Sequence, residues 1–158
     1  MLNFKNDYSE GACPEVLEAL VKTNYEQTVG YGEDKYCEEA KKLIKENINS
    51  PNADIYFLVG GTQANTTVIS HILKPYEAVI ACKTGHISIH ETGAIEATGH
   101  KIIEVDGIDG KLTPNLILNE LRKHEDHHMV KPKMVYISNT TEIGTVYTKN
   151  ELEAISKV

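Results

Sequence analysis

The sequence predicts an α/β fold with a mostly parallel sheet flanked by helices. Short, continuous apolar runs occur at residues 55–59, 78–82, 101–105 and 134–138. Stretches with helical character separate them, at 64–73, 86–98 and 113–123. Runs of this kind, apolar at successive positions, belong to strands covered on both faces. Strand–helix–strand repeats then make those strands parallel, through right-handed crossovers.

The elements follow in chain order. Asp7-Tyr8-Ser9-Glu10-Gly11 reads as a loop. Pro14 suits the first turn of a helix expected to reach about Asn24, with Val16, Leu17, Leu20 and Val21 forming one stripe. Gly30 leads into a second loop, Tyr31-Gly32-Glu33-Asp34. Asp34 is the expected N-cap of a helix running to about Asn47, whose apolar positions Cys37, Ala40, Ile44 and Ile48 repeat at helical spacing. Residues 1–30 therefore read as an N-terminal arm and helix, and residues 31–158 as the beginning of an α/β domain.

After Ser50-Pro51-Asn52 the alternation begins. Residues 55–59 are expected as a strand, followed by a helix over 64–73. Residues 78–82 form a short buried strand. A single helix over 86–98, closed by Gly99, leads to a strand over 101–105. Thr113-Pro114 caps and starts a helix to about Lys123, and residues 134–138 form the next strand. Thr148-Lys149-Asn150-Glu151 has the spacing of a capping box. The helix it opens reaches Val158 with no closing glycine, and about four core strands normally need more chain to cover them. A fragment of a longer protein is the expectation.

Bulk properties narrow the function classes. A chain of 158 residues is one domain or one piece of a larger one. Hydrophobic residues make up 41%, which suits a globular core, yet no run is long and apolar enough to span a membrane. The first seven residues carry no apolar signal-peptide core, so a cytoplasmic location and no membrane partner are the default expectations. A formal net charge of −7 opposes a basic nucleic-acid footprint. Cys13, Cys37 and Cys82 are odd in number and widely spaced, which points to reduced, buried or half-buried thiols rather than a disulfide framework or zinc knuckle.

Three segments can carry chemistry. The run over 55–59 leads into Gly60-Gly61-Thr62-Gln63-Ala64-Asn65 and then a helix. A helix N-terminus offers free N–H groups and the positive end of its dipole, and glycines allow close approach by an anion such as phosphate. Thr62 can cap that helix and donate to a phosphate oxygen. No lysine follows at Walker spacing, and G-x-G-x-x-G is not matched. The same residues also suit an ordinary turn with a capped helix.

The second segment, from Thr84 to Gly93, follows the run over 78–82. His86 and His90 are four apart, on one helical face, with Glu91 roughly 100° round. His86 can stack on a cofactor ring, move protons or cap its helix. The third segment, Ser138-Asn139-Thr140-Thr141-Glu142-Ile143-Gly144-Thr145, follows the last strand. Ligands of open α/β sheets bind beyond the carboxyl ends of strands, so all three loops can border one crevice. His124-Glu125-Asp126-His127-His128 is the densest run of potential ligands, but at a helix C-terminus it reads as a solvated face, and no metal site is assigned.

Taken together, these stretches resemble the N-terminal half of the β-eliminating lyase family, among the fold-type I pyridoxal-phosphate (PLP) enzymes, and in particular its low-specificity threonine-aldolase branch. The resemblance rests on Asn6-Asp7-Tyr8-Ser9-Glu10-Gly11, Tyr31-Gly32-Glu33-Asp34, Gly60-Gly61-Thr62-Gln63-Ala64-Asn65, Gly85-His86-Ile87, Glu91-Thr92-Gly93-Ala94 and Thr141-Glu142-Ile143-Gly144-Thr145. It covers essentially the whole chain. It implies the large domain of that fold, PLP as cofactor, and an amino-acid substrate of the threonine type split to glycine and an aldehyde. It also implies a homodimer or homotetramer for the complete protein.

Carried over, Gly61 and Thr62 hold the cofactor phosphate and His86 stacks on its ring as the catalytic group. Asn6 stands where many relatives have a serine for the substrate carboxylate. Tyr31 lies in the segment that approaches the site at a dimer interface. The Thr140-Thr141-Glu142 loop departs from the Asn-Thr-His of many aldolases. β-Elimination and transamination remain alternatives within the same fold. A non-catalytic phosphate-binding module and a Rossmann-like nucleotide domain are alternatives outside it.

The family's cofactor-bearing lysine, its pyridine-binding aspartate and a substrate-binding arginine match no residue of this sequence. The purified 158-residue chain is therefore expected to show no threonine cleavage. Aldehyde release above the protein-free rate contradicts that expectation.

Overall fold

A computed structural model describes residues 3, 6 and 8–158. Asp7, the first residue of the expected N-terminal loop and part of the Asn6–Gly11 motif, lies outside the described residues. The chain divides into two compact units, Met1–Phe57 and Leu58–Val158.

The first unit is helical. Helix α1 (Pro14–Thr23) starts at its proline. Helix α2 (Lys35–Asn47) is capped by Asp34, whose carboxylate accepts the Tyr36 and Cys37 amides at 2.9 and 3.0 Å. Both matches follow from local chemistry. Cys37 is half-buried, whereas Cys13 is exposed, because it is the N-cap residue of α1 and packs against no core.

Residues 55–59 do not form the expected strand. Their apolar side chains have the right character, but a strand exists only where a neighbour accepts its ladder, and this run pairs with none of the three strands described. Val59 N–H instead donates to the Gln63 side chain at 2.9 Å.

The second unit holds the sheet. Helix α3 (Gly61–Ile72) leads to β1 (Glu77–Cys82), which is buried at every position. The helix expected over 86–98 is broken into α4 (His86–Ile89) and a 3₁₀ turn (Glu96–Thr98). Thr92 (φ 53°) and Gly93 (φ 73°) adopt left-handed backbone between the two pieces, which ends any continuous helix. The predicted closing residue Gly99 does terminate the turn, at φ 86°.

Strand β2 (Lys101–Val105), helix α5 (Pro114–Lys123), strand β3 (Lys131–Tyr136) and helix α6 (Lys149–Ser156) complete the order. β3 starts and ends earlier than the run over 134–138 foretold. Its register shifts where it passes Ala78/Val79, and Pro132 is tolerated because β3 is an edge strand. Thr113 caps α5, and Thr148 and Glu151 form the reciprocal capping box of α6.

The three strands are parallel in the order β2-β1-β3. The central strand divides the core in two. Val79 and Ala81 join Ile69, Leu73, Ile87, Ile95 and Ile102 on one face. Ala78, Ile80 and Cys82 join Ile103, Val105, Leu112 and Ile117 on the other. Parallel pairing with both faces covered is the arrangement that the apolar runs predict. Among the described residues, no helix is long and apolar enough to cross a membrane.

One ion pair ties the loop after β2 to α6. Lys111 Nζ lies 2.7 Å from Glu151 Oε1 and donates to the Val146 carbonyl at 3.2 Å. The Lys111 hydrogen bond, followed by those from Thr148, pulls the Glu151 carboxyl from 4.5 down to about 2. A carboxyl depressed in the fold stabilises above its unfolded value and loses that contribution as pH falls through the folded one. Lys111→Met is therefore expected to lower the melting temperature at neutral pH. The gap to wild type should narrow as pH drops from about 4.5 towards about 2. A gap that stays constant with pH counts against this assignment.

Candidate functional site

The site lies beyond the carboxyl ends of β1 and β3, where two of the three loops singled out from sequence emerge; the glycine turn opens α3 with no strand before it among the described residues. After Cys82 the chain turns tightly. Gly85 N–H donates to the Cys82 carbonyl at 2.7 Å, and a Cβ on Gly85 would sit 2.9 Å from that same oxygen. Glycine is what lets the turn close. Gly85 then becomes the N-cap of α4, and His86 its first residue. His86 N–H donates to the Ser138 hydroxyl at 3.3 Å, joining this turn to the loop after β3. Ile87 is buried in the core cluster with Val79 and Ala81, which anchors the residue next to His86.

The His86 ring meets two carboxylates. Its Nδ1 lies 3.0 Å from Glu142 Oε1, and its Nε2 lies 3.9 Å from Glu91 Oε1. The other Glu142 oxygen is 3.6 Å from His90 Nε2, and the two imidazole rings are 5.4 Å apart. His86 keeps 43% of its side chain exposed, Glu142 23% and Glu91 none. The expected helical pairing of His86 with His90 is thus real, with Glu142 standing between them.

Glu91 is not on the helix, roughly 100° round, as expected from sequence: α4 ends at Ile89, and the Glu91 side chain is fully buried. Asn65 Nδ2 donates to Glu91 Oε1 at 2.7 Å, while Oε2 is buried without a hydrogen-bond partner. A buried carboxyl with one amide donor and an open oxygen is costly, on the order of a few kcal/mol. Tyr136, at the end of β3, belongs to the same cluster. Burial pushes its phenol up, opposed by hydrogen bonds with Ser138 and Asn65, and Glu91 and Glu142 add to the upward push.

Asn65 also ties the cluster to the glycine turn. It lies one helical turn into α3, whose first residues are Gly61 and Thr62. The first intrahelical bond runs from Ala64 N–H to the Gly60 carbonyl at 3.1 Å, so the N–H groups of residues 61–63 have no partner within the helix. Gly60 is the N-cap and supplies no side-chain cap. Thr62 is therefore not the cap expected from the sequence, since it lies inside the first turn, where its carbonyl accepts the Thr66 hydroxyl at 2.9 Å. A Cβ on Gly60 or Gly61 would meet nothing within 4 Å. The cradle is open, and its orphan donors and dipole suit a phosphate ester.

The loop that carries Glu142 is braced. Thr141 is buried; its N–H donates to the Thr145 carbonyl at 2.9 Å, and its hydroxyl accepts Thr145 N–H at 3.0 Å. The Thr145 hydroxyl reaches the Asp109 carbonyl at 2.7 Å. Asn139 accepts Tyr147 N–H at 3.1 Å.

Of the residues singled out from sequence, Gly61, Thr62 and His86 belong to this unit. His86 is linked to α3 through Glu91 and Asn65. Asn6 and Tyr31 belong to the first unit. Asn6 Oδ1 accepts from Tyr8 N–H and the Ser9 hydroxyl at 3.2 and 2.7 Å. Tyr31 is fully exposed with φ 63°.

Sequence reasoning missed Asn65, Tyr136 and the histidine-bridging role of Glu142. Asn65 carried a faint signal, a polar residue on the inner face of α3. Glu142 lay in the third segment singled out, but its partners, like those of Tyr136, are remote in the chain and gave no local signal. Asp126, His127 and His128 place ligand atoms within 4.8 Å of one another on the exposed segment before the amino end of β3. Asp126 there accepts both the backbone and ring N–H of His128, which holds its carboxyl below the usual range.

Residues 3–158 match the family described as β-eliminating lyase. The chain is 34% identical over 155 residues to a low specificity L-threonine aldolase of Pseudomonas sp. (strain NCIMB 10558), covering 97% of this chain and 44% of that protein. A Pseudomonas aeruginosa protein of the same description is 33% identical over the same shares. A solved threonine aldolase structure from Leishmania major matches with a TM-score of 0.93 and 53% identity, over 96% of this chain and 44% of that one. The chain thus spans less than half the length of the curated relatives it matches.

The tight turn before His86 has a direct test. Gly85→Ala is expected to destabilise the second unit by about 1–3 kcal/mol, because the methyl group meets backbone rather than a movable side chain. Urea denaturation measures the loss, and a change below about 0.5 kcal/mol contradicts it.

Proposed function

The chain belongs to the β-eliminating lyase family, and from that premise we propose that it is part of a PLP-dependent lyase that splits a threonine-like β-hydroxy amino acid into glycine and an aldehyde. The observation that carries this reading is the chain of contacts from α3 to His86. Asn65 donates to Glu91 at 2.7 Å, and Glu91 stands 3.9 Å from His86. It couples an open anion cradle to a half-exposed imidazole, the pair of features that a phosphorylated aromatic cofactor needs. The donor set fits that group, because backbone N–H groups and a hydroxyl recognise phosphate, and a flat ring recognises a flat ring.

When bound, PLP supplies an electron sink for the bond broken at the substrate's α-carbon. The rest falls to side chains. Gly61 and Thr62 hold the phosphate, Thr62 adding its hydroxyl as a donor. His86 covers the ring and exchanges a proton at Nε2, the nitrogen not bonded to Glu142. Asn6 is assigned to the substrate carboxylate. Its Oδ1 is already engaged by Tyr8 and Ser9, so the amide NH₂ is the end that donates. Tyr31 is assigned to the substrate side, at an interface between copies in a homodimer or homotetramer. A cytoplasmic setting suits an enzyme of amino-acid metabolism.

The complete protein incubated with PLP and threonine is expected to release glycine and acetaldehyde in equal amounts. Thr62→Ala should weaken PLP binding on the order of tenfold, through loss of one charge-assisted hydrogen bond. Pyruvate and ammonia from serine, with no glycine from threonine, would move the assignment to β-elimination. Transfer of the amino group to a keto acid would move it to transamination.

A further inference from the structure

We propose that Glu142 is a positioning residue that pins the His86 ring with its hydrogen on Nδ1 and so leaves Nε2 as the nitrogen for proton exchange. The role assigned to Nε2 rests on the lyase reading, whereas the pinning itself does not.

The geometry is specific. Glu142 Oε1 and His86 Nδ1 are 3.0 Å apart and 56 residues apart in sequence, so only the tertiary fold brings them together. An ionised carboxylate has acceptors and no donors. Its partner nitrogen must therefore carry the hydrogen, which fixes the tautomer of a neutral ring. The backbone that carries the ring is itself anchored, through His86 N–H to the Ser138 hydroxyl.

The other titratable groups nearby form no hydrogen bond with the ring that competes with Glu142. His90 Nε2 stands 3.6 Å from the other Glu142 oxygen, too far to compete as a hydrogen bond. Glu91 lies 3.9 Å from Nε2, within ion-pair reach but too far for a hydrogen bond, and is engaged by Asn65. Tyr136 makes its side-chain hydrogen bonds with Ser138 and Asn65 rather than with the ring.

The loop is built to hold Glu142 where it is. Thr141 is buried and cross-bonded to Thr145, which is bonded in turn to Asp109.

The ring can be read without cofactor or substrate. Nitrogen-15 NMR of His86 in the 158-residue chain, at mildly alkaline pH, is expected to show hydrogen on Nδ1. Glu142→Ala removes the acceptor. Glu142→Gln keeps the shape but presents a donor as well as an acceptor. Both variants are expected to keep the native amide spectrum and lose the Nδ1–H signature. A wild-type ring with hydrogen on Nε2 alone overturns the proposal without any variant, as do unchanged ring signals in Glu142→Ala.

In the complete protein, Glu142→Gln should lower kcat for threonine cleavage on the order of 10–100-fold with little change in KM, the usual cost of removing a group that orients a functional histidine. The two readings fail separately. A complete protein that does not cleave threonine but keeps the ring signature refutes the lyase assignment alone. Cleavage with a ring indifferent to Glu142 refutes the positioning alone.

Discussion

Burial of β1 on both faces is the constraint from which the rest of the second unit follows. Its residues alternate between two apolar clusters, and each cluster needs a layer of helix or turn to close it. A strand in that position requires neighbours on both edges, and β2 and β3 supply them in parallel. Parallel pairing places the carboxyl ends of all three strands on one side. The loops that leave β1 and β3 therefore meet, and His86 and Ser138 bond across 52 residues of sequence.

The functional cluster is an extension of that core rather than an addition to it. Ile87 is packed with Val79 and Ala81, so the backbone of α4 is anchored by apolar contacts one residue from the imidazole. Glu91 is buried just after α4 and is met by Asn65 from α3. A rigid apolar support beneath a polar network is what preorganised sites require, since each polar group there must hold its geometry without help from water. The unpartnered Glu91 oxygen is a local departure from full hydrogen-bond satisfaction, and it falls at the centre of the cluster.

Family membership and local geometry answer different questions. Membership accounts for the order of the motifs and for the close match to the Leishmania major structure. It does not account for the relation between Glu142, His86 and His90, which comes from individual contacts. Proteins of one fold differ in chemistry through the residues grafted onto it.

What the sequence determined by itself was whatever depends on neighbours in the chain. Asp34, Thr113 and Thr148 cap their helices as expected, because a cap bonds amides two or three residues away. The apolar runs identified β1 and β2, and the glycine turn identified the open N-terminus of α3. Tertiary structure decided the remainder. Residues 55–59 have the composition of a strand but pair with none of the three described, and pairing is not a local property. The helix expected over 86–98 breaks at Thr92 and Gly93, whose left-handed backbone composition alone does not announce. The contact of Glu142 with His86 joins residues that only sheet topology brings within 3.0 Å. Short-range hydrogen bonding is written in adjacent residues, whereas long-range packing is settled by which faces must be hidden from water at the same time.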